Sequence, residues 1–252
     1  MKRWLCVVCG FRNRNAKPIR EAMLCSNCNS TWRVRATALG VLIGTGRPLA
    51  PMPDIQPDWS WRGVGISDNL VLAGALTSKF QYTNSSYFEF PRVDLLNIAE
   101  EQTGRFDFVI CADVLEHVPP PVDIALTGVV NLLSQDGFAV LSVPNTSLRR
   151  GMTAVRAKGD PTIEYYPGLK TWKENEGRVE WVDDNGDIHT DFEPEFHSGG
   201  GQTLAFRQWG MGDFCSRVIA AGFNAIGDIP ANPELGVPEI EDSGIFIAHI
   251  DR

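Results

Sequence analysis

The stretch RFDFVICADVLEHVP (Arg105–Pro119) decides how the rest of the chain is read. Phe106–Ile110 is an apolar run broken by one acid, the pattern of a parallel strand covered on both faces. Pro119–Pro121 then punctuate the chain, and Val122–Leu133 reads as a helix with Asp123 at its positive N-terminal end. Gly137 closes that helix, and Phe138–Val143 (FAVLSV) is a second buried strand. Buried strands alternating with helices predict a mostly parallel α/β sheet.

The alternation extends in both directions. Upstream, Trp61–Ile66 (WRGVGI) predicts the first strand, Ser67-Asp68-Asn69 an N-cap cluster, and Leu70–Phe80 a helix. Phe80–Asn84 follows as a second strand, and a short third strand is expected to end at Val93-Asp94. Downstream, Met211–Ala221 reads as a helix, and Phe223–Ile229 and Gly244–Ile250 as the last two strands. Residues 145–210 break the rhythm. They are rich in glycine and aromatic residues, with Asp184-Asn185-Gly186 as the turn of a hairpin between Val179–Val182 and Ile188–Phe192. An insertion of that length is long for a mere connection. It leaves the sheet after Val143, at the carboxyl ends of the strands, where α/β sheets bind ligands.

VLIGTG (Val41–Gly46) imitates a strand and phosphate loop, but it feeds Pro48, Pro51, Pro53 and Pro57, which do not continue into a helix. Val34, Ala38, Val41 and Leu42 instead fit a helical stripe, so Arg33–Ile43 is predicted as a helix stopped by Gly44, with Thr45–Ser60 a linker.

The 252 residues carry a net charge of −8, distributed unevenly. Residues 1–35 hold eight basic side chains and one acid, a net of +7; the remainder holds 15 basic and 30 acidic, a net of −15. A hydrophobic fraction of 43% supports a sizeable core, and no apolar run is long enough to span a bilayer. Four of the six cysteines lie in the basic head as Cys6-x2-Cys9-x15-Cys25-x2-Cys28. Two such knuckles at that spacing predict a four-thiolate structural Zn2+ site. The opening MKRWLCVVCG has too short an apolar stretch for a signal peptide, and two cysteines, Cys111 and Cys215, are left over. Both features point to a reducing, cytoplasmic setting rather than to disulfides. The organisation expected is a zinc-ribbon module (1–35), a helix and proline-rich linker (36–60), and a sheet domain (61–252) carrying the insertion 145–210.

FDFVICADVLEHV, followed by a helix and LLSQDGFAVLSVPN, resembles the class I S-adenosylmethionine-dependent methyltransferases. Residues 61–145 carry the likeness and the last forty residues carry it loosely. It implies a Rossmann-like methyltransferase sheet with an antiparallel last strand, and S-adenosylmethionine as cofactor. By position, Gly65, Ser67 and Asp68 would hold the methionine end and Asn84 would lie at the ribose. Asp94 would accept from the adenine amino group, Leu95 would offer its backbone N–H to the ring, and Cys111 and Ala112 would flank the methyl group. The family's GxGxG loop is replaced by GISDN, and Asn84 is an amide where the family has an acid. His117, Glu164 and His197 are the candidates to remove a proton from an oxygen or nitrogen acceptor. The function expected is methyl transfer to a small-molecule or carbohydrate-like acceptor. The alternative is an RNA methyltransferase, or a catalytically degenerate module binding RNA or protein through the basic head; the acidic body disfavours nucleic acid.

Overall fold

The computed structural model describes residues 3–14, 24–144, 159–197, 203–239 and 244–251. The head opens with β1 (Trp4–Leu5) paired antiparallel to β2 (Arg12–Asn13), and the cysteine knuckles flank this ribbon. Helix α1 (Trp32–Gly44) follows, capped by the Thr31 hydroxyl, which accepts from the Val34 amide. It crosses residue 35, so the head and the segment after it share one element.

The helix ends at Gly44 as expected, and a closing turn follows it. Gly46 adopts φ +63°, its amide donates to the Ile43 carbonyl, and the Arg47 amide donates to the Leu42 carbonyl. This paired return of N–H groups to the last turn needs the left-handed conformation that glycine adopts most readily.

The large sheet is assembled from β3 (Arg62–Ile66), α2 (Leu70–Thr77), β4 (Gln81–Ser85), β5 (Phe106–Ala112), α3 (Asp123–Leu132) and β6 (Leu133–Ser142). The insertion contributes β7 (Ile163–Glu164), β8 (Thr171–Asn175), β9 (Arg178–Val182), β10 (Ile188–Asp191), β11 (Phe196–His197), β12 (Thr203–Leu204) and β13 (Arg207–Gln208). After it come α4 (Met211–Ala220), β14 (Ala225–Asp228) and β15 (Ile245–His249). The sheet order is β14-β15-β6-β5-β3-β4. β4, β3, β5 and β6 run parallel, while β15 is antiparallel to both of its neighbours. This is the expected mostly parallel Rossmann-like sheet, with its antiparallel last strand.

Side-chain alternation explains why the strands read as continuous apolar runs. Phe108 and Ile110 of β5 and Phe138 and Val140 of β6 face the layer that holds α1, α2 and the cysteine head. Val109, Cys111, Ala139 and Leu141 face α3 and α4 on the other side. Trp4, Cys6 and Cys25 belong to the first of these cores, so the head is packed onto the sheet domain through α1.

The expected third strand is not formed: Val93 and Asp94 lie outside any strand, and β4 is the sheet's edge. Only a single Ser86–Arg92 bridge continues the pairing. The apolar alternation there is just Val93 and Leu95, which plug the core between charged neighbours, too short a run to extend a ladder.

In the insertion, the expected hairpin forms as β9 and β10, with Ile188 opposite Val182 and Gly186 in its turn at φ +87°. β8 adds a third strand on the other side of β9. Tyr166, Val179, Leu204 and Phe206 give the insertion a small core of its own. The sequence also offers Phe196-His197-Ser198-Gly199-Gly200-Gly201 for an acceptor pocket or lid, and of these Ser198–Gly201 lie outside the described residues.

Candidate active site

The ends of the parallel strands gather most of the residues singled out from sequence. At the end of β3, Ser67 takes φ +59° and turns the chain sharply into α2. The Asn84 side chain clamps this turn from the end of β4. Its Oδ1 accepts from the Asp68 amide at 2.9 Å, and its Nδ2 donates to the Asp68 carbonyl at 3.0 Å. The carboxamide where an acid was expected is thus engaged at both ends with backbone, which a carboxylate, lacking a donor, does not reproduce.

Asp68 is buried, with the Tyr82 hydroxyl donating to its Oδ2. Its other oxygen, Oδ1, has no hydrogen-bond partner among the described residues. Burial pushes this carboxyl up to about 7, opposed by the bond from Tyr82. Gly65 is required here for a packing reason: a Cβ would collide with both the Tyr82 hydroxyl and the Asp68 carboxylate.

Asp94 stands in the loop after β4, its Oδ1 accepting from the Leu96 amide at 3.0 Å and its other oxygen paired with Arg92 at 3.2 Å. Leu95 beside it is buried. Cys111 is fully buried near the end of β5 and burial raises its thiol well above the ordinary range, so it is a packing residue and not a nucleophile. Ala112 is half-buried at the strand's end. Arg33, from the first turn of α1, reaches the ends of β5 and β6, pairing with Asp113 and donating to the Ser142 hydroxyl at 3.1 Å.

A second group forms where the insertion meets the turn Leu115–His117. Glu116, 1% exposed, sits between two imidazoles: its Oε1 is 3.7 Å from His117 Nε2 and 3.9 Å from His197 Nδ1. The two rings meet edge to face with centroids 5.2 Å apart. His117 Nδ1 is 2.8 Å from the Leu204 carbonyl, and His197 Nε2 is 2.7 Å from Glu195 Oε1. The Tyr165 hydroxyl donates to the other Glu195 oxygen at 3.0 Å. Burial opposes a charge on His197, but Glu116 and Glu195 overcome it and raise the imidazole to about 9.

Glu164, the third candidate base, does not join the two histidines. It pairs with buried Arg207 at 2.9 Å, and Arg207 donates in turn to the Leu115 and Val118 carbonyls. This constellation fastens the insertion to the turn that carries Glu116 and His117. Sequence reading passed over Glu116 and Glu195. The first lies inside the quoted VLEHV run; the second had no local signal, because its partner is brought to it by the insertion's fold.

In the head, the four cysteines are free, with Cys6 Sγ 3.7 Å from Cys28 Sγ and Cys9 Sγ 3.6 Å from Cys25 Sγ. These separations are far beyond the roughly 2.05 Å of a disulfide. They match the edge of a tetrahedron of thiolates about 2.3 Å from a zinc ion. Burial raises the Cys25 thiol, but the amides of Cys28 and Asn27 and the Asn13 side chain outweigh it and lower it to about 6. Two of the head's basic residues face inward: Arg33 as described, and Arg35, fully buried over the Trp4 ring with a bond to the Gly236 carbonyl. That internal use weakens a nucleic-acid reading of the head's charge.

The sheet order and its antiparallel last strand define a Rossmann-like fold. No family model matches the chain. The ubiquinone biosynthesis O-methyltransferases of Acinetobacter baumannii strains AYE and SDF are each 26% identical over 93 residues, 37% of this chain and 38% of theirs. The match therefore spans well under half the length of these curated relatives. Among solved structures, the glycopeptide N-methyltransferase MtfA complexed with sinefungin is similar at TM-score 0.48 and 11% identity, over 94% of this chain and 100% of that one. The 1,6-didemethyltoxoflavin-N1-methyltransferase of Burkholderia thailandensis, with bound S-adenosylhomocysteine, gives 0.45 and 13%, over 88% and 79%. The amino pentose methyltransferase CalS10 of Micromonospora echinaspora, in its SAM-bound structure, gives 0.44 and 15%, over 87% and 92%. Among the described residues, no helix is long and apolar enough to cross a membrane.

Proposed function

We propose that this chain is an S-adenosylmethionine-dependent methyltransferase of the cytoplasm, acting on a small-molecule or carbohydrate-like acceptor, with a structural zinc ion in its cysteine head. The observation that carries the reading is the unpartnered Oδ1 of Asp68, buried at the turn from β3 into α2, where the sequence resemblance implies the amino-acid end of the cofactor. A buried carboxylate oxygen without a donor is costly, and a cationic ligand group relieves it. S-adenosylmethionine supplies that group as its ammonium, and supplies a methyl group activated on a sulfonium.

The chain's residues then have distinct tasks. Gly65 and Ser67 shape the turn, Asn84 locks it, and Asp68 receives the ammonium. Asp94 accepts from the adenine side and Leu95 offers its backbone N–H to the ring. Ala112 walls the methyl group with Cys111 packed beneath it, and the acceptor lies toward His117 and His197. Glu116, His117 and His197 form the place where an acceptor proton is removed. Glu164 belongs to the insertion's anchorage through Arg207 and is a positioning residue. The residue ranges 1–35, 36–60 and 61–252 are offered as the module, connector and catalytic domain, with α1 joining the first two.

The test is calorimetric titration of the purified chain with S-adenosylmethionine. Saturable binding is expected, with Asp94→Ala weakening it by about 1–3 kcal/mol if a buried hydrogen bond is lost. Absence of binding at millimolar ligand defeats the proposal.

A further inference from the structure

We infer that Glu116, His117 and His197 bind a divalent first-row transition-metal ion, a second metal centre distinct from the cysteine head. Glu116 Oε1 is 3.7 Å from one imidazole nitrogen and 3.9 Å from the other, and the ligand atoms of all three residues lie within 4.8 Å of one another. Such contacts are too long for hydrogen bonds. Ligands about 2.1 Å from a common ion stand roughly 3.4 Å apart in a tetrahedron, so the two edges at Glu116 close by about half an ångström or less and the edge between the imidazoles by no more than about 1.4 Å.

The second layer is already in place. His117 Nδ1 meets the Leu204 carbonyl and His197 Nε2 meets Glu195, so each outer nitrogen is anchored as an N–H donor. Each inner nitrogen then faces Glu116, and that of His197 offers its lone pair once a bound ion displaces the proton held there. Metal-binding histidines are oriented by this kind of outer hydrogen bond. Tyr165 holds Glu195 in turn. The independent sign of a missing cation is Glu116 Oε2, buried and without a hydrogen-bond partner among the described residues.

Two imidazoles and one carboxylate suit zinc, cobalt, nickel or iron(II) better than magnesium or calcium, which favour all-oxygen shells. Three protein ligands also leave a coordination position open, the mark of a reactive rather than a structural ion. What that position does rests on the methyltransferase reading. An acceptor hydroxyl bound there loses its proton to water more easily, because the ion lowers its pKa. The oxygen then forms its bond to the methyl carbon as the sulfur–carbon bond breaks, with the electron pair remaining on sulfur. The acceptor class is accordingly an oxygen nucleophile able to coordinate a metal.

The test is a cobalt(II) titration of full-length protein already carrying one equivalent of zinc. One further equivalent of Co2+ is expected, with the ligand-field absorption of nitrogen and oxygen ligands and no thiolate charge-transfer band. His197→Gln and Glu116→Gln are each expected to lose that equivalent while keeping the wild-type circular dichroism and the zinc. Failure of the wild type to bind cobalt beyond the cysteine site overturns the inference, as does undiminished binding in a folded His197→Gln protein. S-adenosylmethionine is titrated into the same preparation: cobalt binding without cofactor binding keeps the metal centre and defeats the methyltransferase reading, and the reverse defeats only the metal centre.

Discussion

Replacing Asp68 with asparagine should make the protein more stable and the cofactor site worse. The folded carboxyl ionises near 7 instead of the ordinary 3.8, because it is buried. Between those values the folded state keeps a proton that the unfolded chain has released, so stability declines as pH rises through this window and the loss is complete above the folded pKa. At about 1.4 kcal/mol per unit, the full penalty is roughly 4 kcal/mol, of which about 2–3 kcal/mol develops between about pH 5 and pH 8. The carboxamide of the Asp68→Asn variant keeps an acceptor for the Tyr82 hydroxyl and carries no charge. Urea unfolding of both proteins at the two pH values reads the difference directly. With a denaturant dependence of about 2–3 kcal/mol per molar, the variant's midpoint should gain about 1 M on the wild type between the lower and the higher pH. In parallel, S-adenosylmethionine should bind the variant more weakly at the higher pH. A stability difference that does not change with pH, or a variant less stable at the higher pH, would refute the assignment of Asp68 as a buried, unpaired carboxyl.

Two further outcomes follow from the packing. Chelation of the cysteine head, or Cys25→Ser, should lower the thermal midpoint of the entire sheet domain by several kcal/mol in stability, because Cys25 shares a core with α1; a midpoint unchanged by chelator would disprove that coupling. Arg207→Met should cost about 3–5 kcal/mol by leaving the Glu164 charge and two carbonyls unpaired. Hydrogen exchange should then show lost protection in β7 and β13 with β5 and β6 intact, whereas unchanged protection there contradicts the anchoring role.

The parallel strands were legible because β5 and β6 are buried on both faces, so their residues are apolar without alternation. The cysteine cluster was legible because each CxxC spacing keeps its two thiols within one short turn of chain. The edge of the sheet was not, since Val93 and Leu95 are apolar for core packing and carry no ladder. β8 escaped notice because all five of its residues are exposed, leaving no period to read. The resemblance pointed to Gly65, Asp68, Asn84 and Asp94, but what Asn84 does depends on a turn sixteen residues away. The grouping of Glu116 and His117 with Glu195 and His197 depends on an insertion folding back over a long stretch of chain. Local pattern locates a residue on its element; it does not reveal a partner brought in by tertiary structure.

The central claim is that the turn from β3 into α2 holds the amino-acid end of S-adenosylmethionine. A crystal structure of the protein grown with S-adenosylhomocysteine tests it most directly. The ligand's ammonium is expected within hydrogen-bond distance of Asp68 Oδ1, its adenine beside Asp94 and Leu95, and its sulfur facing the Glu116–His117–His197 group. Density for the ligand elsewhere, or crystals that exclude it at saturating concentration while Asp68 Oδ1 stays unpartnered, would contradict it.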